Sequence, residues 1–201
     1  MKVVGVFTRI DQLNGKKIIY VPIDIINKLK DKVKIKFLCN FSKNNIENLL
    51  DEVQRCDGII IPGGDNIINE ELEVCKFAYD HDIPILGICL GMQTMAMAYN
   101  GIMGTIPNFE HKSNRQYVHK VSILSDSKLY RILRKPTIMV NSRHKDYIIK
   151  TDLKIGAKSP EGIIEAIECP EKRFFIGVQW HPENLKDRFS KQLFDYFISM
   201  L

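Results

Sequence analysis

The sequence lacks any apolar run near the ~20 residues that a membrane span needs, and its first residues show no signal-peptide cleavage pattern. It also lacks internal repeats, low-complexity tracts and linker-like segments. Its five cysteines are an odd number with no CxxC pair, which argues against a disulfide framework or a zinc cluster and favours a reducing compartment. We therefore expect a cytoplasmic protein with no membrane partner.

Charge and histidine spacing narrow the possible functions further. The net charge is only +5, and much of the lysine excess lies in stretches such as 28–34 that are typical of a solvated face, so we expect no nucleic-acid partner. No two of the five histidines stand four residues apart, and we predict no metal site. With 201 residues, 45% of them hydrophobic, the chain can fill one core, and we predict a single domain over residues 1–201.

Short apolar runs alternate with helical patterns through the first half of the chain. Strands are predicted at 3–7, 33–37, 58–61 and 85–88, and helices at 23–29, 46–53, 70–79 and directly after Cys89, with a polar loop around Asn14 and Gly15. Mainly antiparallel strands are predicted at 119–124, 137–140, 154–157, 163–167 and 174–178, before a closing helix over 185–198. The predicted fold class is α/β: a doubly wound, mostly parallel sheet flanked by helices, with antiparallel strands added in the second half.

The chain is organised around residues 84–93, which read PILGICLGMQ. An apolar strand ends at Cys89, with Gly87 and Gly91 two places to either side, and a helical pattern begins at Leu90. This is the pattern of a nucleophile elbow with cysteine in place of serine. A helix N-terminus and a nearby histidine favour the thiolate. The other four cysteines have no such glycine turn, and we interpret them as small buried hydrophobes.

Two further segments supply what such a nucleophile requires. The run Pro62-Gly63-Gly64-Asp65 leaves the carboxyl end of a buried strand, where ligands bind in open α/β sheets, and its glycines allow close approach to backbone N–H groups. His181 follows another buried strand, and Glu183 stands two residues later. Cys89, His181 and Glu183 are therefore predicted as nucleophile, base and orienting carboxylate.

Together, PGGD at 62–65, GICLGMQ at 87–93 and GVQWHPE at 177–183 resemble the class I glutamine amidotransferase-like superfamily, which has a flavodoxin-like glutaminase fold. Within it, VNSRH at 140–144 and SPEGIIEAIE at 159–168 look like the γ-glutamyl hydrolase branch (peptidase C26), which includes γ-glutamyl-γ-aminobutyrate hydrolases. One departure stands near the N-terminus, where Phe7-Thr8-Arg9 only loosely replaces the family's arginine-bearing start.

The resemblance implies hydrolysis of a γ-glutamyl amide through a γ-glutamyl thioester on Cys89, releasing glutamate and an amine without any cofactor. By the same resemblance, backbone N–H groups of Gly64 and Leu90 form the oxyanion hole. The residues expected to bind substrate, Gln93 among them by the same resemblance, are Gly63, Gln93, Asn141, Ser142, Arg143 and His144.

A second departure concerns the leaving group. Hydrolases of this branch often carry an aromatic or apolar residue where this chain has Arg143, and guanidinium pairs well with phosphate. We therefore hypothesise an anionic or nucleotide phosphoramidate substrate, such as a γ-glutamyl-CDP-amidate, with Arg143 or Lys145 as its contact.

Two other functions are kept open. One is the glutaminase subunit of a class I amidotransferase, supplying ammonia to a partner synthetase; the other is an inactive binding or regulatory module. The expected ligand is a small-molecule γ-glutamyl substrate, and a homodimer is left open.

Overall fold

The computed structural model describes residues 1–39, 46–106 and 113–201. Its strands are β1 (Val3–Phe7), β2 (Arg9–Leu13), β3 (Lys16–Tyr20), β4 (Lys34–Leu38), β5 (Gly58–Ile61), β6 (Ile85–Ile88), β7 (Ile102–Thr105), β8 (His119–Ile123), β9 (Thr137–Val140), β10 (Asp146–Lys150), β11 (Lys154–Lys158), β12 (Ile164–Glu168) and β13 (Phe175–Val178). Its α-helices are α1 (Ile23–Leu29), α2 (Ile46–Gln54), α3 (Asn69–Asp80), α4 (Leu90–Ala98), α5 (Lys128–Leu133) and α6 (Arg188–Ser199), and a 3-10 helix spans Pro182–Asn184.

Within the described residues, nine strands form one sheet in the order β4-β1-β5-β6-β13-β12-β11-β8-β9. The first five of these pair in parallel, and the remaining pairs are antiparallel. The predicted fold class is therefore confirmed. Residues 174–178, which the pattern grouped with the antiparallel strands, contribute β13, and this strand pairs in parallel with β6 and antiparallel with β12.

The buried side chains form two clusters, one on each face of the sheet. Neighbouring strand residues alternate between them: Ile60 belongs to the first cluster, whereas Ile59 and Ile61 belong to the second, as the two-residue period of a strand requires. Helices α1, α5 and α6 contribute to the first cluster, and α2, α3 and α4 to the second. The sheet is thus covered on both sides, which explains why its central strands are apolar throughout.

Three features were not predicted: the β2–β3 hairpin, the antiparallel pair β7–β10 and helix α5. The polar loop around Asn14 and Gly15 is the turn of a hairpin, β2–β3, in which Leu13 pairs with Lys16 and both turn residues have positive φ. The short helix α5 was missed as well. It begins at the Ser127 cap, and its first N–H groups, those of Lys128 and Leu129, donate to the buried carboxylate of Glu168 at the end of β12.

None of the helices in ranges 1–39, 46–106 and 113–201 has the length and apolar character needed to cross a bilayer.

Candidate active site

Cys89 lies at a sharp turn between β6 and α4. Its backbone has φ 52° and ψ −105°, a conformation that is strained for a residue with a Cβ. The Cys89 N–H donates to the Val178 carbonyl at 2.8 Å, and the Cys89 carbonyl accepts from the Gln93 N–H at 3.1 Å. The elbow expected from the sequence is therefore present, with β13 holding the turn from one side.

The two flanking glycines allow the close packing that this turn needs. A Cβ on Gly91 would lie 2.0 Å from the Ile61 carbonyl oxygen of β5. A Cβ on Gly87 would lie 2.7 Å from the Gly91 carbonyl carbon. Both positions abut backbone atoms, which cannot rotate away as a side chain can, so any larger residue would push α4 off the sheet.

His181 follows β13, the strand beside β6, so both residues stand at neighbouring carboxyl ends of parallel strands. The His181 Nδ1 is 2.7 Å from Glu183 Oε1, and the imidazole and Cys89 both lie against Gly63. Because Nδ1 binds Glu183, Nε2 is the ring nitrogen left to serve the sulfur. The His181–Glu183 pair beside Cys89 is the arrangement expected of a base and its orienting carboxylate.

Opposing effects determine the charge of His181. Burial by itself lowers the pKa of the imidazole, but the negative charge of Glu183 and the interactions with Cys89 and Glu183 outweigh burial and raise that pKa to about 10. The charged form of the ring is therefore favoured at neutral pH, beside the Glu183 carboxylate.

Asn141, at the end of β9, holds the backbone of His181. Its Nδ2 donates to the His181 carbonyl at 2.8 Å, and its Oδ1 accepts from the His181 N–H at 2.8 Å. The side chain is buried, with 1% of its surface exposed. The resemblance implied a substrate contact for Asn141, whereas in this structure both polar groups of its amide bind the histidine backbone.

The loop after β5 is held by a buried arginine. Arg9 donates from Nε to the Gly63 carbonyl at 3.1 Å, from Nη2 to the Pro62 carbonyl at 2.5 Å and from Nη1 to Glu71 Oε1 at 2.5 Å. Sequence reasoning noted Arg9 only as a departure from the family's start. The available signal was an arginine placed directly after the first buried strand, at the edge where the other motifs also lie.

The two glycines of this loop touch the triad and the start of α4. A Cβ on Gly63 would lie 2.7 Å from His181 Cε1 and 3.4 Å from Cys89 Cβ. A Cβ on Gly64 would lie 3.1 Å from Leu90 Cδ2. Gly64 and Leu90, the expected oxyanion donors, are thus neighbours in space beside Cys89.

Two buried amides lie behind the cysteine. Gln93 donates from Nε2 to the Asp146 carbonyl at 2.9 Å and to Gln179 Oε1 at 3.1 Å. Gln179 in turn places its Nε2 3.5 Å from Cys89 Sγ. Gln93 therefore reaches the sulfur through Gln179, a residue that sequence reasoning quoted within a motif but gave no role.

The segment after Asn141 divides between the cleft and the interior. Arg143 is exposed at the cleft and donates to Asn184 Oδ1 at 2.7 Å. Ser142 is fully buried. His144 is also buried: its Nδ1 lies 3.0 Å from the Asp146 carbonyl, and its Nε2 lies 3.9 Å from Oε1 of the buried Glu165. Of these three residues, the structure brings Arg143 to the cleft.

An open cleft of about 340 Å³ lies above Cys89, His181 and Glu183. Its lining consists of Tyr20, Pro22, Asp24, Gly63, Gly64, Asp65, Cys89, Arg143, His181, Glu183 and Asn184. Among the described residues, which do not include His111, no group of three or more His, Cys, Asp and Glu side chains is arranged to hold a metal ion. The arrangement is suited to thiol-based attack on a carbonyl carbon.

The comparisons with known proteins agree on one family. Residues 68–183 match the model of the Peptidase C26 family. A glutamine amidotransferase-like protein of Rickettsia prowazekii is 32% identical over 223 aligned positions, which cover 76% of this chain and 78% of that protein. CTP synthase of Porphyromonas gingivalis is 30% identical over 68% of this chain, but the chain spans only 32% of that protein's length.

Among solved structures, the glutaminase domain of Trypanosoma brucei CTP synthase with bound acivicin superposes with a TM-score of 0.76. It is 16% identical, and the match covers 99% of this chain and 94% of that one. At this identity the likeness concerns the fold alone.

Proposed function

Since the chain belongs to the Peptidase C26 family, within the class I glutamine amidotransferase-like superfamily, we propose that it hydrolyses γ-glutamyl amides with Cys89, His181 and Glu183 as its triad. The observation that carries this proposal is the strained elbow at Cys89 with His181, hydrogen-bonded to Glu183, beside it against Gly63. A cysteine used only for packing would not need a strained turn or a histidine–carboxylate pair next to it.

The first half of the reaction forms a thioester. The Cys89 thiolate attacks the γ-carbonyl carbon, and the oxyanion is stabilised by the N–H groups of Gly64 and Leu90, of which one donor is commonly worth about 3 kcal/mol. His181 then gives its proton to the departing nitrogen. The C–N bond breaks, the amine leaves, and the γ-glutamyl group stays on the sulfur.

The second half regenerates the enzyme. Neutral His181 takes a proton from water, the hydroxide oxygen attacks the thioester carbon, and the C–S bond breaks to release glutamate and the thiolate. His181 ends as the imidazolium with which it began. Glu183 stabilises that charged form throughout, and the backbone contacts from Asn141 keep the ring in place.

The test is glutamate release by the purified chain, alone, from glutamine, γ-glutamyl-γ-aminobutyrate, γ-glutamyl peptides and a γ-glutamyl nucleotide phosphoramidate. The last substrate tests the anionic leaving group suggested by Arg143, which stands at the cleft. Cys89→Ala is expected to abolish turnover, whereas Cys56→Ala, a buried cysteine outside the cleft lining, is the matched control and keeps it. Equal activity of Cys89→Ala and the unmodified chain would refute the proposal.

A second candidate is a glutaminase subunit that passes ammonia to a synthetase. The CTP synthase relatives favour it, because this chain spans about a third of their length and the acceptor chemistry would reside elsewhere. Such a subunit is expected to use glutamine slowly until its partner binds, whereas a hydrolase turns over one γ-glutamyl amide rapidly without help. If no substrate released glutamate, with or without candidate synthetases, the chain would instead be an inactive binding module.

A further inference from the structure

A second pocket of about 300 Å³ adjoins the catalytic cleft. The two share Tyr20, Gly64 and Asp65 in their linings. The second pocket is lined by Phe7, Thr8, Arg9, Ile10, Ile19, Tyr20, Leu38, Cys39, Gly64, Asp65, Asn66 and Ile68. We call it the hairpin pocket, because β2 and β3 form one of its walls.

The hairpin pocket lies where the sheet changes its winding direction. The chain passes from β1 outward to β4 and then returns to β5 on the other side of β1, so the connections after β1 and after β4 leave in opposite directions. Ligands of open α/β sheets bind at the carboxyl ends of strands at such a point. The volume is at the lower end of the range of small-molecule sites.

The described lining of the hairpin pocket is mixed. Five of its twelve described residues are apolar side chains: Phe7, Ile10, Ile19, Leu38 and Ile68. Its arginine, Arg9, is committed to the buried carboxylate of Glu71 and to the carbonyls of Pro62 and Gly63. The positive charge of Arg9 is therefore balanced and its donors point at the loop, which leaves little attraction for an anion.

The junction with the catalytic cleft is acidic. Asp65 is exposed there, and Asp11 belongs to strand β2 of the hairpin. The pKa of Tyr20, at the same junction, is raised by burial and then by the negative charges of Asp11 and Asp65, against a smaller opposite effect of Arg9. A substituent that passes this point consequently meets the carboxylate of Asp65.

We propose that the hairpin pocket receives the amine side of the substrate, and that the chain prefers γ-glutamyl amides of neutral or cationic amines with an apolar chain. This inference rests on the proposed γ-glutamyl hydrolysis. Behind Cys89 lie the side chains of Gln93 and Gln179, which are 3% and 0% exposed, so the open space around the sulfur is on the side of the cleft. An anionic leaving group would instead remain in the catalytic cleft near Arg143. A preference for such a leaving group would contradict the proposal.

Three γ-glutamyl amides with leaving groups of similar length separate these outcomes: those of n-pentylamine, diaminobutane and γ-aminobutyrate. The pentylamide and the diaminobutane amide are expected to exceed the γ-aminobutyrate amide in kcat/KM by about tenfold or more, as expected when a charge is placed in an apolar, like-charged site. A γ-aminobutyrate amide that is hydrolysed as fast as the pentylamide, or faster, overturns the inference.

A variant tests whether the preference comes from this pocket. Ile19→Trp fills part of the pocket from an exposed hairpin position and is expected to lower the ratio of pentylamide to glutamine turnover by about tenfold. Ile149→Trp on β10, also at an exposed strand position, is the matched control and leaves the ratio unchanged. An unchanged ratio in Ile19→Trp contradicts the assignment.

Direct binding separates this inference from the proposed function. Calorimetric titration of Cys89→Ala with the pentylamide and the γ-aminobutyrate amide measures affinity without turnover. Tighter binding of the pentylamide, lost in the double variant Cys89→Ala/Ile19→Trp, supports the pocket even if no amide is hydrolysed. Hydrolysis of all amides with no difference in affinity would leave the proposed function intact and refute the pocket.

Discussion

At the scale of single residues, the chemistry depends on the charge and position of one imidazole. Glu183 supplies the charge that keeps His181 protonated, and Asn141 and Gly63 define where the ring lies. The effect of Glu183 is electrostatic, that of Asn141 is a pair of backbone hydrogen bonds, and that of Gly63 is steric. Each can therefore be measured separately.

The raised pKa of His181 links stability to pH. Its folded-state value of about 10 exceeds the ordinary 6.5, so its contribution is fully present below pH 6.5 and is lost as pH rises through about 10. At about 1.4 kcal/mol per pKa unit, the loss is on the order of 5 kcal/mol at most. We predict that Glu183→Gln flattens this fall, as measured by urea unfolding across that window.

The control for this measurement is Glu47→Gln, which removes an exposed carboxylate of α2. It should reproduce the pH dependence of the unmodified chain, including the contributions of lysine, tyrosine and cysteine side chains. If Glu183→Gln did the same, Glu183 would not be the source of the charge on His181.

Gly63→Ala is predicted to reduce kcat/KM by about 10- to 100-fold, because the new methyl group would displace the His181 ring from the sulfur and small misplacements are costly in catalysis. The free energy of unfolding should change by less than about 1 kcal/mol. Gly156→Ala on β11 is the control, since its Cβ would approach no atom closer than 3.4 Å. Full activity of Gly63→Ala would mean that the loop can move away from the triad.

At the scale of elements, a buried ion pair joins the start of the hairpin, the loop after β5 and helix α3. Arg9 and Glu71 are 7% and 0% exposed. Burial raises the pKa of Glu71, against the lowering effect of Arg9, so the carboxylate depends on its partner to remain charged. The same guanidinium fixes two carbonyls of the loop that carries Gly64.

Arg9→Met is predicted to lower the free energy of unfolding by about 3–5 kcal/mol, because it leaves Glu71 buried without its partner. The double variant Arg9→Met/Glu71→Met should recover much of that stability, since an apolar pair of similar size can replace a buried ion pair. Glutamate release should stay low in both variants, because the Pro62 and Gly63 carbonyls have lost their donor. Recovery of activity together with stability would show that Arg9 acts only as a structural charge.

At the scale of the whole molecule, the last strand of the chain occupies the middle of the sheet. β13 lies between β6 and β12, and the two apolar clusters are opposite faces of the same strands. The nucleophile and its base therefore meet only when residues far apart in sequence have paired. β13 cannot leave the sheet without exposing both clusters, because Ile176 and Val178 belong to the first and Phe175 to the second.

This arrangement predicts one cooperative unfolding transition, which also tests the expected single domain over residues 1–201. Trp180 is the only tryptophan in the sequence and is 2% exposed beside His181, so its fluorescence reports on the active site. In urea, fluorescence and far-UV circular dichroism should give the same midpoint and slope. A fluorescence change at lower urea would show that the active-site region unfolds separately.

Most of the parts that the sequence did not predict depend on contacts between residues far apart in the chain. The first N–H groups of helix α5 donate to Glu168, which lies some forty positions later in the chain. The start of this helix therefore depends on a partner that no local pattern reveals. Arg9 and Asn141 act through backbone carbonyl and N–H groups, which every residue possesses and which leave no trace in residue type. The β2–β3 hairpin is different, because the Asn14-Gly15 turn that forms it is a local sequence pattern, although only a loop is predicted there.

The sequence by itself determined the fold class, the elbow at Cys89 and the three residues expected to form the triad, because apolar periodicity, glycine turns and motif spacing are local properties of the chain. Tertiary structure alone decided that Asn141 holds the backbone of His181, that Gln179 rather than Gln93 reaches the sulfur, and that His144 lies inside beside Glu165. It also created the hairpin pocket next to the cleft. The physical reason is that contacts across a sheet depend on strand order and register, which side-chain patterns along a single strand do not specify.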